Sequence, residues 1–360
     1  MRGAARRRWL LVHRWLALGL GVVLALQALV GTALLVARPL DRRAHPELFG
    51  APTHAALGPG RLEQVREALV HEWGAATRLT LRPPREPGES LWAMVHGAWD
   101  GTVYFDPATG AELGRRGEHE GVFNLLFEWH SSLLLGDAGK ALLAGLALGY
   151  LVLLASGFVL WWPRRWRRAL HVERRQSLQR LVFDLHRVGG ALLGLLIGVL
   201  IASGAYMAWR PLSALLSAAA GDTPVALPKV VSEADAAAMP LDAIVGRAAL
   251  LFPAGEVGYV QAGAGREPVR VRLRLPDDPH PNGLTSVWLH PQTGAVLAAV
   301  RWDHLDLGAR AYAVVYPLHI GRWLGPAQQV VHALLGSTLA LLVGAGLWLW
   351  WQRRRPRRAG

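Results

Sequence analysis

Four stretches of the chain stay apolar for longer than a folded core requires: residues 10–37, 140–162, 183–209 and 328–351. As helices rising about 1.5 Å per residue, each is long enough to cross about 30 Å of hydrocarbon. The pattern between them changes. Residues 61–73 and 241–251 are helix-like, whereas 91–95 and 268–275 read as strands. In the last of these, Val269, Val271, Leu273 and Leu275 interleave with Arg270, Arg272 and Arg274, the period of a half-buried strand. Asp106-Pro107-Ala108-Thr109-Gly110 and His290-Pro291-Gln292-Thr293-Gly294 are turn chemistry between short strands: proline sets φ and glycine supplies a positive φ. The pattern predicts an integral membrane protein, mainly α, with four transmembrane helices and two small α+β domains outside the bilayer, each with its own antiparallel sheet.

The order of these pieces occurs twice. His13-Arg14 opens a run that ends at Arg38-Pro39-Leu40, and His186-Arg187 opens one that ends at Arg210-Pro211-Leu212. His130 lies 32 residues before Trp162, and His319 lies 32 before Trp351. Residues 103–113 align with 287–297. The resulting division is a tail at 1–9, span 10–37, a first extramembrane domain at 38–123, an amphipathic helix and loop at 124–139, span 140–162 and a basic loop at 163–182. The second half has span 183–209, a second domain at 210–312, a helix and loop at 313–327, span 328–351 and a basic tail at 352–360. Both halves enter the membrane from the same side, so they are parallel repeats about an axis along the membrane normal.

Charge orients this arrangement. The formal charge of +13 is concentrated beside the apolar runs. Residues 163–180 hold seven arginines against Glu173 alone, and both termini are arginine-rich, whereas 38–123 and 210–312 are close to neutral. That is the positive-inside pattern, with both termini and the 163–182 loop cytoplasmic. It also argues against nucleic acid as a partner, because every basic cluster abuts a span. The first run is too long for the core of a cleaved signal peptide and reads as a retained helix. The chain has no cysteine, which excludes disulfides, Cys-ligated iron–sulfur clusters and thioether-attached haem.

The candidate chemistry lies in four histidines. The two-fold maps His13 onto His186 at one membrane boundary and His130 onto His319 at the other, which implies two facing pairs. Two imidazoles from facing helices suit the axial positions of a b-type haem, two haems in all, for electron transfer rather than oxygen chemistry. Arg14 and Arg187 would be available to haem propionates, and Gly19, Gly21, Gly189, Gly190 and Gly194 would let a flat macrocycle approach the backbone. The competing reading is that these are interfacial anchors, copied by duplication as faithfully as ligands would be. Zinc or copper is a poorer use of two imidazoles with no carboxylate or thiol nearby. His332, whose repeat counterpart is Leu143, is an alternative outer ligand or polar packing. The histidines of the extramembrane stretches, His280 and His290 among them, are for the most part expected to be solvated.

These residues resemble a known family. His13-Arg14-Trp15 with Gly31-Thr32, Glu128-Trp129-His130 followed by Leu133-Leu134-Leu135-Gly136, Asp184-Leu185-His186-Arg187, and Pro317-Leu318-His319-Ile320-Gly321 are similar to motifs of PepSY-associated transmembrane proteins. That family includes iron-regulated inner-membrane proteins and ferric-siderophore reductases. The chain departs from it at Trp129 and Ile320, away from the candidate ligands. The resemblance implies PepSY-like domains, a bacterial inner-membrane location and b-type haem that passes electrons outward to a ferric siderophore or other ferric chelate. The electron donor would be a quinol or a cytoplasmic reductase; no glycine fingerprint for a nucleotide is visible. Such a chain is an oxidoreductase in iron acquisition, or a non-catalytic membrane anchor that binds or regulates a periplasmic protein or peptidase.

Overall fold

The computed structural model describes residues 3–51, 57–163, 166, 169–226, 228, 230, 237–263 and 267–354. Arg2, His54, Arg164, Arg165, Arg167, Arg168, Arg355, Arg357 and Arg358, among the residues read above, lie outside that set. The chain divides into a helical unit (1–36, 126–210 and 318–360) and a sheet unit (37–125 and 211–317).

Among the described residues, four helices are long and apolar enough to cross a membrane: α1 (Gly3–Ala44), α5 (Gly136–Trp161), α6 (Leu178–Ala208) and α10 (Pro326–Gln352). Between the first two, in chain order, come α2 (Pro46–Phe49), α3 (Arg61–Trp73) and α4 (Val122–Ser132). Between the last two come α7 (Pro211–Ala219), α8 (Leu241–Leu251) and α9 (Leu307–His319). The membrane helices outrun the apolar runs because hydropathy marks the hydrocarbon rather than the helix ends. α1 continues through Pro39 to Ala44, since a proline removes one helical hydrogen bond but not the following turn. α6 begins five residues before the apolar run, where Ser177 caps it by accepting the Arg180 N–H at 3.4 Å.

Leu24, Tyr150, Leu153, Ile197, Leu335 and Leu339 are buried together in the helical unit. Much of the remaining leucine surface, such as Leu148 and Leu341, is exposed, as helices solvated by lipid require. Glycines set the spacing of the helices. A Cβ on Gly21 would lie 3.2 Å from Val343, and one on Gly194 would lie 2.7 Å from Leu154. Gly21 corresponds to Gly194, and Leu154 to Val343, in the aligned halves.

The sheet unit departs from the two separate sheets expected. β1 (Arg78–Arg82), β2 (Leu91–His96), β3 (Gly101–Phe105) and β4 (Glu112–Gly117) join β5 (Glu256–Ala262), β6 (Val269–Arg274), β7 (Thr285–Leu289) and β8 (Val296–Val300) in one sheet of order β4-β3-β2-β1-β5-β6-β7-β8. The junction is antiparallel, Leu79 opposite Ala262 and Leu81 opposite Val260. Each four-stranded half alone would expose its first strand's unpaired N–H and C=O groups; pairing the two edges removes both. One core follows, with Leu62, Val65 and Leu69 of α3 and Ile244 and Ala248 of α8 on Leu81, Val95, Val103, Val260, Val271 and Val287. The two helix starts cap each other: Glu63 accepts the Leu241 N–H at 2.8 Å, and Asp242 accepts the Glu63 N–H at 2.9 Å.

The aligned turns also correspond in detail. β3–β4 and β7–β8 both shift register, at Tyr104/Phe105 and at Trp288/Leu289. Asp106 Oδ1 accepts the N–H groups of Ala108 and Thr109. In the other half His290 Nδ1 accepts those of Gln292 and Thr293. His290, half-buried, thus caps its turn.

Candidate functional site

The helical unit brings the four predicted histidines together in two pairs. His13 on α1 and His186 on α6 have ring centroids 6.4 Å apart, with ring planes at 83°. His130 on α4 and His319 on α9 have centroids 6.0 Å apart and planes at 27°. An imidazole nitrogen binds a metal at about 2 Å, and that nitrogen sits about 1 Å from its own ring centre. Two imidazoles facing each other across one ion therefore have centroids about 6 Å apart. Both pairs have this spacing.

Each ring is seated on a glycine of a neighbouring helix. A Cβ on Gly157 would lie 3.4 Å from His13 Cε1, and one on Gly346 would lie 3.4 Å from His186 Cε1. A Cβ on Gly31 would lie 2.7 Å from His130 Cε1, and one on Gly204 would lie 2.8 Å from His319 Cε1. None of the five glycines chosen from the sequence to face a macrocycle seats a histidine ring. Gly21 and Gly194 receive aliphatic side chains, Gly189 faces Leu342, and Gly19 and Gly190 have nothing within 4 Å.

The Nδ1 atoms are held by backbone carbonyls. His13 Nδ1 lies 3.2 Å from the Leu153 carbonyl, His186 Nδ1 2.9 Å from that of Leu342, and His319 Nδ1 3.1 Å from that of Leu200. A carbonyl only accepts, so Nδ1 carries the proton and the Nε2 lone pair is left free, the tautomer a metal ligand needs. One serine in each pair supports this bond. Ser156 Oγ lies 2.9 Å from His13 Nδ1, and Ser203 Oγ lies 3.0 Å from His319 Nδ1. Each hydroxyl donates its own proton to the same carbonyl its histidine uses. His130 is the exception. Its Nδ1 is buried with no hydrogen-bond partner among the described residues, although the Gln27 carbonyl, the counterpart of Leu200's, faces it. Burial lowers the pKa of His130 and brings that of His319 down to about 4, with His130 adding to the effect. Both rings are therefore neutral near pH 7, as coordination requires.

Gly31 follows His13 by 18 residues in α1, and Gly204 follows His186 by 18 in α6. At 1.5 Å per residue the pairs are separated by about 27 Å along the bundle. The layer between them is apolar. Leu24 and Ile197 each lie 11 residues past a histidine and seven before its helix's seating glycine, and both are buried.

Short, strained connections place the second pair. Leu133 and Leu134, between α4 and α5, have φ of 54° and 61°, a left-handed conformation that costs a branched residue about 1–2 kcal/mol. The Ser132 carbonyl closes against Gly139, where a Cβ would clash. A tight joint of this kind fixes His130 against α1 without a long loop.

The remaining predicted residues are placed differently. Arg187 donates to the carbonyls of Ala169 and His171 at 2.8 and 2.7 Å and to buried Asp184 at 3.3 Å, so its guanidinium ties down the basic loop. Arg14 is exposed, its guanidinium 5.5 Å from the Trp15 ring centre. His332 lies beside the second pair, within electrostatic range of His319. Its Nδ1 is buried without a partner among the described residues and would sit 3.0 Å from a Cβ on Gly321. No group of three or more His, Cys, Asp or Glu suited to a metal ion occurs among the described residues. Sequence reasoning missed Gly157, Gly204, Gly346, Ser156 and Ser203. The only signal was that Gly31 stands in a motif with Thr32.

The sequence profile of the PepSY-associated TM region matches residues 10–353. An uncharacterized protein of Pseudomonas aeruginosa is 28% identical over 264 residues, 65% of this chain and 64% of that protein. The chain thus spans just under two thirds of the length of the curated relative it matches. Since the profile runs through both histidine pairs and the whole sheet, the chain belongs to the family of PepSY-associated transmembrane proteins.

Proposed function

We propose that this protein is a haem-dependent electron conduit of the bacterial inner membrane that reduces a periplasmic ferric chelate, such as a ferric siderophore. The observation that carries the proposal is the pair of histidine pairs: centroids 6.4 and 6.0 Å apart, every ring seated on a glycine, and three of four Nδ1 atoms on carbonyls. In this reading His13 and His186 hold one b-type haem, and His130 and His319 hold the other. Held between two imidazoles, such a group would supply one-electron transfer. The chain's own residues fix the tautomers through the carbonyls of Leu153, Leu342 and Leu200. The apolar layer of Leu24 and Ile197 keeps water and ions from following the electrons.

The arginine clusters support a cytoplasmic position for both termini and the 163–182 loop. The two halves are then parallel repeats, with the first pair at the cytoplasmic side and the sheet in the periplasm. A quinol or a cytoplasmic reductase supplies the electrons; a quinol gives two and releases two protons on becoming quinone, enough for two ferric ions. Each Fe(III) that takes one electron leaves as Fe(II), which hard oxygen ligands hold far more weakly.

The test is a dithionite-reduced-minus-oxidised spectrum of protein purified from haem-replete cells, with haem measured per chain. Low-spin bis-histidine bands at about two haems per chain are expected. Colourless protein would sink the proposal and leave a PepSY anchor without redox chemistry.

A further inference from the structure

Two aromatic rings of the sheet unit each carry two guanidiniums. Arg38 and Arg82 lie 5.1 and 4.5 Å from the Trp92 ring centre, and Arg85 and Arg272 lie 5.6 and 5.5 Å from that of Tyr259. Strand register places them. Arg82 is opposite Trp92 across β1–β2, and Tyr259 is opposite Arg272 across β5–β6. Thr80 opposite Gln261 puts all four on one face of the sheet, the face away from α3 and α8. The groups act electrostatically as one cluster, with Arg38 sensing Arg82 and Tyr259, and His280 sensing Arg272 and Arg85.

Arg272 donates to the Gly283 carbonyl and Arg85 to that of Pro281 at 3.4 Å, but carboxylates are fewer than guanidiniums. Glu89 takes Arg42 at 2.8 Å and Arg82 at 3.1 Å. The oxygens of Asp278 accept the backbone N–H groups of His280 and Leu284. Arg82 is 6% exposed, yet its Nη1 has no acceptor among the described residues, and neither has Arg42 Nε. His280, expected from the sequence to be solvated, is 2% exposed, its ring centre 4.3 Å from that of Tyr316. Its Nδ1 accepts the Asn282 N–H at 3.1 Å, so the neutral ring carries its proton on Nε2, which also lacks an acceptor. Burial, then Arg272 and Arg85, push this histidine down to about 3, which keeps it a neutral donor. Buried donors without acceptors are costly and uncommon. Here three of them sit among five guanidiniums, those of Arg38, Arg42, Arg82, Arg85 and Arg272, against the two carboxylates of Glu89 and Asp278.

We infer that this face of the sheet binds a multivalent organic oxyanion, held by Arg38, Arg82, Arg85, Arg272 and His280. Guanidiniums match carboxylate-type oxygens in bidentate geometry, and stacking on aromatic rings holds them planar and partly desolvated. Trp92 on β2 and Tyr259 on β5 are two strand spacings apart, about 10 Å, with Arg82 on β1 between them. A chelator bearing several oxyanion groups matches a donor set of that breadth. If the electron-conduit reading holds, the ferric chelate it reduces is an anionic one; only the iron in this statement rests on that reading.

The experiment is isothermal titration of the full chain, in nanodiscs of neutral phosphatidylcholine, with citrate and with ferric citrate. Saturable binding of about one citrate per chain is expected, not displaced by equimolar inorganic phosphate. Arg272→Gln should weaken it at least tenfold. So should Arg85→Gln, whose exposed side chain insulates the fold from the change. Haem per chain should be unchanged in both variants. Absence of saturable citrate binding, undiminished binding in both variants, or loss of haem in their place would overturn the inference. Citrate binding by colourless protein would uphold the oxyanion site while refuting the conduit.

Discussion

The two histidine pairs use the same parts under different constraints. His13 and His186 stand on membrane-length helices, their Nδ1 atoms are both on carbonyls, and their seating glycines leave ordinary contact distance at 3.4 Å. His130 and His319 stand on α4 and α9, helices of 11 and 13 residues. Their seats are tighter, one Nδ1 lacks a hydrogen-bond partner among the described residues, and a third histidine lies beside them. The ring planes differ accordingly, nearly perpendicular in one pair and 27° apart in the other. A long helix fixes a side chain through many backbone bonds shared along its length, whereas a short helix needs a strained joint such as Leu133-Leu134 and close contacts to do the same. The second pair is therefore the one that substitutions near it should disturb.

The largest effect should come from the four histidines proposed as ligands. His13→Ala or His186→Ala should remove one haem per chain and leave the other, and His130→Ala or His319→Ala should do the converse, read as haem-to-protein ratio and as loss of one component in a redox titration. Single substitutions that each empty both sites would erase the distinction between the pairs. The next effect separates them by packing. Gly31→Ala and Gly204→Ala push a methyl to 2.7–2.8 Å of a ring carbon and should lower occupancy of the second site several-fold. Gly157→Ala and Gly346→Ala, at 3.4 Å, should leave the first site filled. Equal losses from all four would show that both seats are equally tight.

Serine truncation should act more gently. Ser156→Ala and Ser203→Ala each remove a neutral hydrogen bond, about 1 kcal/mol, so each should shift the potential of its own site by a few tens of mV, about 59 mV being a tenfold change for one electron. A shift at the other site would mean that the two pairs are not independent. Least of all should come from His332→Ala, which is expected to keep both haems and move only the second potential. If it empties that site while His319→Ala does not, the ligand is His332.

Much of this arrangement was legible in one dimension. The four spans, the correspondence of His13 with His186 and of His130 with His319, and the paired turns at 106–110 and 290–294 follow from local period and internal repetition. The seating glycines do not. Gly157 and Gly346 each lie 27 residues past the histidine of their own half, yet they seat His13 and His186 from across a helix interface. Glycines chosen for nearness in sequence, such as Gly21 and Gly194, instead receive Val343 and Leu154. His280 was equally hidden: a loop histidine between two prolines gives no sign that Tyr316 will cover it.

Sequence alone determined the number of spans, the sites where imidazoles occur and their symmetry-related partners, because hydropathy and duplication are properties of the chain read in order. Tertiary structure decided that two edges close into one eight-stranded sheet and which carbonyl fixes each imidazole tautomer. It also decided how closely each ring meets its glycine. Those depend on helix spacing and strand register, which arise only when surfaces distant in the chain pack to van der Waals contact.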